Sequence, residues 1–252
     1  MRCERFGRRD MMAVMPQAAK IRLYELVLEN GRSSSPYVWR TRYALAHKGM
    51  PFESVPLGFV EIPTVLGGRF KTVPIIEDGG TAVADSWDIA EYLDRAHPGP
   101  LLFSGPAENA MVRLMDAWFQ ENVLRRMFRI YILDVFYAIR PADRGYFRES
   151  REARFRGRSL EDFTANRAAE LPELRKALGP LRSHLARHAF LGGSAPNYAD
   201  YIALGAFQWA AGVSTLPMLA ADNSLRAWLD RCLDLYGGAG RVADQKPLFE
   251  QP

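Results

Sequence analysis

Hydrophobic and polar residues alternate in short segments through the first hundred residues of the chain. Residues 21–26 (IRLYEL) alternate as a half-buried strand does, and residues 52–57 form a second segment of this kind. Between them, Ser35 and Pro36 open a helix, because serine is a favoured N-cap and proline fits the first helical position. Apolar residues then recur at helical spacing until Gly49, where the helix is expected to end.

Residues 73–85 predict a β-hairpin. Two apolar segments flank Asp78-Gly79-Gly80, a strong turn signal. Ser86 then begins a helix that runs to about Ala96 and ends before Pro98. The element order is therefore βαβ–ββα. Parallel strands joined by a helix imply a sheet that is covered by helices.

Helical periodicity replaces strand patterns after residue 106. Residues 107–137, 159–190, 197–212 and 224–236 each predict a helix, and no segment predicts a strand. We therefore expect a basic leader over residues 1–20, a small α/β domain over 21–103 and an all-helical domain over 107–246. The leader has no periodic apolar pattern and is expected to be disordered.

Composition excludes several classes of protein. The 252 residues are 48% hydrophobic, and no apolar run reaches the roughly 18 residues of a membrane span. The net charge of +4 owes much to the leader, which carries five basic and two acidic side chains, so it does not indicate nucleic acid binding. The leader lacks the apolar region of a secretory signal. Cys3 and Cys232 form neither a disulfide framework nor a metal-ligand spacing, which favours a reducing cytoplasm.

Two further patterns are assigned a structural explanation. Ten arginines and only four acidic residues lie between Arg125 and Arg158, and we interpret them as a solvated or ion-paired face rather than a nucleic acid groove. His184 and His188 are spaced i, i+4, but a metal site needs further ligands that do not stand nearby in the sequence. No metal is expected.

Four motifs, in order and spacing, resemble the glutathione transferase family over residues 21–245. They are SPYVWR at 35–40, Val73-Pro74, Asp85-Ser86 and the N-capping box NYAD at 197–200. The resemblance implies a thioredoxin-like first domain, a helical second domain, glutathione as co-substrate and a homodimer. The stretches SPYVWRTRYAL (35–45), DSWDIAEYL (85–93), RIYILD (129–134), LGGSAPNYAD (191–200) and WLDRCLDLYGG are most similar to the branch of bacterial β-etherases and fungal etherase-type transferases.

Ser35 is the candidate catalytic residue. Only the thiolate of glutathione is a good nucleophile, and the positive end of a helix lowers a thiol pKa. A hydroxyl at that position can also donate to the sulfur anion. Ser33 and Ser34 can share this role, and the alternative is that Ser35 is only a helix cap. A cysteine here would favour disulfide exchange, so its absence favours nucleophilic displacement.

The remaining candidates follow from the same resemblance. Val73-Pro74 implies a cis peptide that turns the Val73 backbone toward the cysteine of glutathione, the alternative being an ordinary trans proline. Asp85 and Ser86 would hold the γ-glutamyl ammonium and carboxylate, unless they only cap a helix. Lys71 would meet the glycyl carboxylate, unless it is solvated.

The expected function is activation of the glutathione thiolate for attack on an aromatic substrate in detoxification. Cleavage of lignin-derived β-aryl ethers is the specific activity that the resemblance favours. The hydrophobic substrate would lie between the domains, against Tyr37, Trp39, Trp118, Phe128 and Tyr131. The alternative is a non-catalytic protein of the same fold that binds ligands or partner proteins.

Overall fold

The computed structural model describes residues 20–221 and 223–251. The predicted leader therefore lies outside the described residues, apart from Lys20. None of the described helices is long and apolar enough to cross a membrane.

The first domain contains a four-stranded mixed sheet. Its strands are β1 (Ile21–Leu26), β2 (Phe52–Leu57), β3 (Ile75–Asp78) and β4 (Thr81–Ala84). Their order is β2-β1-β3-β4, in which β1 and β2 are parallel and the other pairs are antiparallel. The predicted strands and the hairpin are confirmed. They could be predicted because both depend on local turn and alternation signals.

Two helices of the first domain begin at side-chain caps. Helix α1 (Pro36–His47) follows Ser35, whose hydroxyl accepts a hydrogen bond from the Val38 N–H at 3.4 Å. Helix α2 (Ser86–Ala96) follows Asp85, whose carboxylate accepts from the Trp87 N–H at 2.8 Å. The chain thus forms the predicted βαβ–ββα order of a thioredoxin-like domain.

Within the part of the chain that the structure describes, the regular elements of the second domain are helices. Its helices are α3 (Pro106–Phe119), α4 (Arg125–Ala138), α5 (Arg144–Arg154), α6 (Leu160–Thr164), α7 (Arg167–Ala177), α8 (Gly179–Leu185), α9 (Tyr198–Val213) and α10 (Leu225–Gly238). A π-helical turn over Gln120–Leu124 joins α3 to α4, in the segment predicted as one helix. The Asn197 and Asp200 side chains form the expected capping box of α9.

The structure differs from the predicted helices in two segments. The pattern over 159–190 is broken into α6, α7 and α8 by local turns at Ala165-Asn166 and Leu178. Helix α5 lies between the predicted helices 107–137 and 159–190, in a segment for which no helix is predicted. Phe147 is its only fully buried side chain, so it carries no apolar period that could have predicted it.

Helix α9 holds the two domains together. All of its residues are buried, and α1 packs against it. The two backbones approach so closely that a Cβ atom at Gly205 would clash with the Pro36 carbonyl oxygen. Beside this contact, the Arg40 guanidinium of α1 forms an ion pair with Asp116 of α3 at 3.0 Å. The start of α1 is therefore fixed relative to the helical domain.

Candidate functional site

A cleft of about 930 Å³ lies between the two domains. Six of the candidate site residues named from the sequence line it, and these are Ser34, Ser35, Tyr37, Lys71, Val73 and Phe128. Helices α4, α5 and α9 form its opposite wall. Candidate residues of the first domain therefore lie across this cleft from the helical domain.

Two serine hydroxyls stand at the N-terminus of α1. Ser34 and Ser35 both line the cleft and are both buried. Ser35 is occupied as the cap of α1, whereas the Ser34 hydroxyl has no hydrogen-bond partner among the described residues. Ser33 is also buried with an unpartnered hydroxyl, but it does not line the cleft. A negative atom here would meet the positive end of a helix and hydroxyl donors.

The Val73-Pro74 peptide is cis, as the resemblance implied. Pairing between β1 and β3 begins at Ile75, so Val73 lies beyond the paired part of the sheet while lining the cleft. The Pro74 carbonyl accepts a hydrogen bond from the Asp85 N–H at 3.3 Å. The segment that follows Val73 is thereby joined to the start of α2.

Asp85 adopts a backbone conformation that is rare for a residue with a side chain. Its φ of +74° and ψ of 132° lie outside the ordinary regions, and such strain concentrates at functional positions. Neither Asp85 nor Ser86 lines the cleft itself. Because Ile75 pairs with Ala84, Asp85 lies next to Pro74, which follows the cleft-lining Val73 but does not itself line the cleft. The Ser86 carbonyl accepts from the Tyr198 hydroxyl of α9.

Two of the five predicted wall residues face the cleft. The Tyr37 hydroxyl donates to the Gln120 side chain at 3.0 Å, and burial raises the pKa of this phenol. Phe128 packs against Trp209 of α9, with ring centroids 4.9 Å apart. Gln120 opens the π-helical turn, a feature that is frequent at functional sites.

The structure places the other three predicted wall residues away from the cleft. Trp39 is buried in the first domain, and its indole N–H donates to the Ser33 carbonyl at 3.3 Å. Tyr131 is buried, and its hydroxyl donates to the Leu216 carbonyl at 3.4 Å. Trp118 packs beside Phe119 at the end of α3. An aromatic residue at helical spacing fits either a core or a cleft; Trp39 and Tyr131 belong to the core, and Trp118 is partly buried against it.

Several residues of the cleft were not predicted from the sequence. The apolar ones include Trp209, Phe155 and Phe163, and the charged ones include Arg151 and Arg154. No signal marked Trp209, since the surrounding segment is apolar on every side of the helix. The arginines lie on or just after α5, which was not predicted as a helix.

The arginine-rich segment between Arg125 and Arg158 is predicted to form a solvated or ion-paired face, and only part of it does. Salt bridges hold Arg125, Arg126, Arg129, Arg140 and Arg148 to glutamates. However, Arg125 and Arg129, together with Arg151, Arg154 and Arg156, also line the cleft. Their charge therefore acts on the contents of the cleft as well as on solvent.

No cluster of three or more potential metal ligands occurs within residues 20–221 and 223–251. The His184 and His188 rings stack with centroids 4.5 Å apart. The His184 Nε2 atom lies 3.2 Å from the Phe190 carbonyl oxygen. Cys232 is buried, and burial raises the pKa of its thiol.

Comparison with known proteins assigns both domains to one family. Residues 34–96 match the model of the glutathione S-transferase N-terminal domain, and residues 110–229 match a model of the C-terminal domain. The chain belongs to the glutathione S-transferase family. The two matches cover both walls of the cleft, so the site lies where the glutathione S-transferase domains meet.

Individual relatives are distant from this glutathione S-transferase chain. It is 27% identical to glutathione S-transferase 4 of Zea mays over 202 residues, which cover 76% of this chain and 83% of the maize protein. It is 34% identical to maleylacetoacetate isomerase of Rattus norvegicus over 88 residues, and this match spans only 40% of the isomerase and 31% of the chain.

The fold is similar to that of a solved fungal glutathione S-transferase. The crystal structure of a Ceriporiopsis subvermispora enzyme in complex with glutathione superposes with a TM-score of 0.75. The superposition covers 89% of this chain and 99% of the fungal chain, at 23% sequence identity. At that identity the similarity establishes the fold alone.

Proposed function

We propose that the chain is a glutathione transferase that forms the glutathione thiolate at Ser35 and directs it at an aromatic substrate in the cleft. One observation carries this proposal. The hydroxyls at the start of α1, the Val73 backbone and aromatic side chains of the helical domain all border the same cavity. A nucleophile and a hydrophobic electrophile can therefore meet there.

The chemistry at Ser35 follows from the thiol pKa. A thiol with a pKa near 8.5 is mostly protonated at neutral pH, and the thiolate is the reactive species. The N-terminal N–H groups of α1 and the Ser35 hydroxyl favour the anion. A hydroxyl can accept from the Val38 N–H and still donate outward, so capping and catalysis are compatible. The unpartnered Ser34 hydroxyl is a second donor beside it.

The peptide frame of glutathione would extend from Val73 to α2. The Val73 N–H and C=O lie beyond the paired strands, where the cysteine backbone can pair with them as a short added strand. The Ser86 hydroxyl and the N-terminus of α2 would bind the γ-glutamyl carboxylate, and the Asp85 carboxylate would face the ammonium group. Lys71 borders the cleft at the position proposed for the glycyl carboxylate. The strained Asp85 backbone supports this assignment.

β-Aryl ether cleavage is the specific reaction that we propose within this class. The thiolate attacks the carbon that carries the aryloxy group, a C–S bond forms and the C–O bond breaks. The electron pair leaves with the aryloxide, which takes a proton from solvent. The resemblance of residues 35–45 and 85–93 to etherase-type sequences supports this assignment.

We further propose that the protein acts as a cytoplasmic homodimer. Met111 and Leu114 lie on α3, and each is 63% exposed. Large apolar side chains that are close together on one exposed helix are typical of an interface. Sedimentation of the protein and of the Met111→Glu variant tests the dimer.

The deciding experiment measures the pKa of bound glutathione. The near-ultraviolet absorption of the thiolate is titrated in the wild type, in Ser35→Ala, in Ser34→Ala and in a control, Ser183→Ala, whose side chain is exposed on α8. A donor worth about 1.5–3 kcal/mol predicts that Ser35→Ala raises the pKa by about one to two units. Conjugation of chlorodinitrobenzene and cleavage of β-aryl ethers should fall at about pH 6.5 and partly recover at higher pH.

Binding of S-methylglutathione separates this effect from affinity, because that ligand has no thiol and its Kd should barely change. Loss of the helix cap costs about 1 kcal/mol, so the folded fraction is measured for each variant. Full activity of Ser35→Ala at about pH 6.5 would show that Ser34 or backbone N–H groups stabilise the thiolate. A wild-type complex without thiolate absorption would instead favour the non-catalytic alternative.

A further inference from the structure

The cleft carries a large excess of positive charge. Lys71 and five arginines line it, and none of the lining residues is an aspartate or a glutamate. The arginines are Arg125, Arg129, Arg151, Arg154 and Arg156. Glutathione accounts for at most one of these cations, Lys71, in the binding mode proposed above. The others face the space that is left for the second substrate.

Ion pairing neutralises only part of this charge. Arg125 pairs with Glu121, and Arg129 pairs with Glu170 at 3.1 Å. In the part of the chain that the structure describes, Arg151, Arg154 and Arg156 form no salt bridge. These three arginines come from the end of α5 and the turn that follows it. All three line the cleft and have no counter-ion among the described residues, and Arg151 is the least exposed of them.

Arg151 is held in a defined position at the cleft. Its guanidinium lies 4.8 Å from the ring centroid of Phe147 and 5.3 Å from that of Phe59. One of its nitrogens donates to the Ser150 hydroxyl at 3.0 Å. Burial, together with the nearby charge of Arg154, lowers the pKa of Arg151 to about 10. A partly buried cation without a counter-ion is less well solvated than an exposed one, and an anionic ligand would relieve that cost.

Aromatic side chains form the rest of the same cavity. The Phe155 and Phe163 rings stack with centroids 3.7 Å apart, and Phe128 packs on Trp209. All four residues line the cleft. A flat apolar ring fits against these walls, and a guanidinium matches a planar carboxylate through two parallel hydrogen bonds. The cavity therefore combines the two features that recognise an aromatic carboxylate.

We propose that the second substrate is an electrophilic aromatic carboxylate, whose negative group binds Arg151 while its reactive carbon faces the glutathione sulfur. This inference rests on the proposed function and specifies the substrate class for the same cleft. For a chloroarene, the thiolate attacks the ring carbon, a C–S bond forms, and chloride leaves with the C–Cl electron pair. The thiol proton has already passed to solvent. Arg151 is thus a specificity residue.

The test compares two probes of the same shape, 4-chloro-3-nitrobenzoate and its neutral amide. The kcat/KM of each is divided by the rate constant of its uncatalysed reaction with glutathione, which removes the difference in intrinsic reactivity. The wild type should prefer the carboxylate at least tenfold, because a hydrogen bond to a charged group is worth about 1.5–3 kcal/mol. The preference should fall as salt is added.

Arg151→Gln should lose most of this preference, because its corrected kcat/KM for the carboxylate should fall more than its corrected kcat/KM for the amide. The matched control is Arg148→Gln, which removes the same charge from the same helix at a residue that does not line the cleft. It should keep the preference of the wild type. Circular dichroism and thermal unfolding confirm that both variants are folded.

Two results would overturn the inference. One is a wild type whose corrected kcat/KM is the same for the amide and for the carboxylate. The other is an Arg151→Gln variant that keeps the wild-type preference for the carboxylate. Either outcome leaves the proposed transferase function intact. If neither probe reacts, the thiolate titration and the ether-cleavage assay still decide the transferase function, and calorimetry decides on recognition of the carboxylate. In that case equal Kd values for the carboxylate and the amide would also refute the anion site.

Discussion

Replacing Asp116 by asparagine tests how strongly the domain interface fixes the start of α1. Asp116 forms the ion pair with Arg40 across this interface, and the Arg40 side chain is only 1% exposed. The other two guanidinium nitrogens of Arg40 are buried without a hydrogen-bond partner among the described residues. The guanidinium also stacks on Tyr37, 4.8 Å from its ring centroid. Removing the carboxylate charge therefore leaves a buried cation uncompensated.

The expected loss follows from the burial of both partners. Removing one partner of a buried ion pair lowers the free energy of unfolding by about 3–5 kcal/mol, because the remaining charge keeps its desolvation penalty. That is a large part of the total stability of a folded domain, which is about 5–15 kcal/mol. With a urea m-value of about 3 kcal/mol per M, the unfolding midpoint should fall by about 1 M.

Urea unfolding, followed by tryptophan fluorescence and by circular dichroism, measures this loss. The matched control is Glu121→Gln, which breaks the ion pair with Arg125 on the same helical segment. Those two side chains are 55% and 70% exposed. An exposed pair contributes little, so the control should change the free energy of unfolding by less than about 1 kcal/mol.

The double variant Arg40→Leu, Asp116→Leu tests the same reasoning without a buried charge. Replacing both charges with apolar side chains removes the unpaired cation, so it should be more stable than Asp116→Asn alone. A loss below about 1 kcal/mol in Asp116→Asn would refute the reasoning. It would mean that water or another group neutralises Arg40 at the interface.

Two further predictions concern the glutathione site and the leader. Ser86→Ala removes a hydrogen-bond donor to the charged γ-glutamyl carboxylate, and such a bond contributes about 1.5–3 kcal/mol. Calorimetry should therefore show a roughly ten- to hundredfold loss of glutathione affinity. An unchanged Kd would show that the γ-glutamyl end binds elsewhere. A chain that begins at Ala19 should fold and bind glutathione as the full chain does, because residues 1–20 lack a periodic apolar pattern. Failure to fold would make the leader part of the domain.

Features that depend on neighbouring residues could be predicted from the sequence. The strands of the first domain, the hairpin at Gly79-Gly80 and the starts of α1 and α2 all lie where local signals put them. The reason is that caps, turns and strand alternation depend on backbone geometry within a few residues. The candidate residues at these starts, Ser35 and Asp85, could be named because the resemblance to the glutathione transferase family adds a role to these local signals.

Helical segments with weak local signals could not be predicted well. Helix α5 is short and polar, and the pattern over 159–190 conceals the breaks between α6, α7 and α8. Helices of this length gain most of their stability from packing against other elements rather than from their own residues. Their boundaries are therefore set by contacts that the local pattern does not contain.

The sequence alone determined the element order of the first domain and the residues at the start of α1. Only the tertiary structure decided which aromatic side chains face the cleft, since Tyr37 and Phe128 line it while Trp39 and Tyr131 are buried elsewhere. It also decided that Arg151 lines the cleft with no carboxylate partner among the residues that the structure describes. The physical reason is that burial and charge compensation depend on residues that are distant in the chain, and no local pattern records which of them will meet.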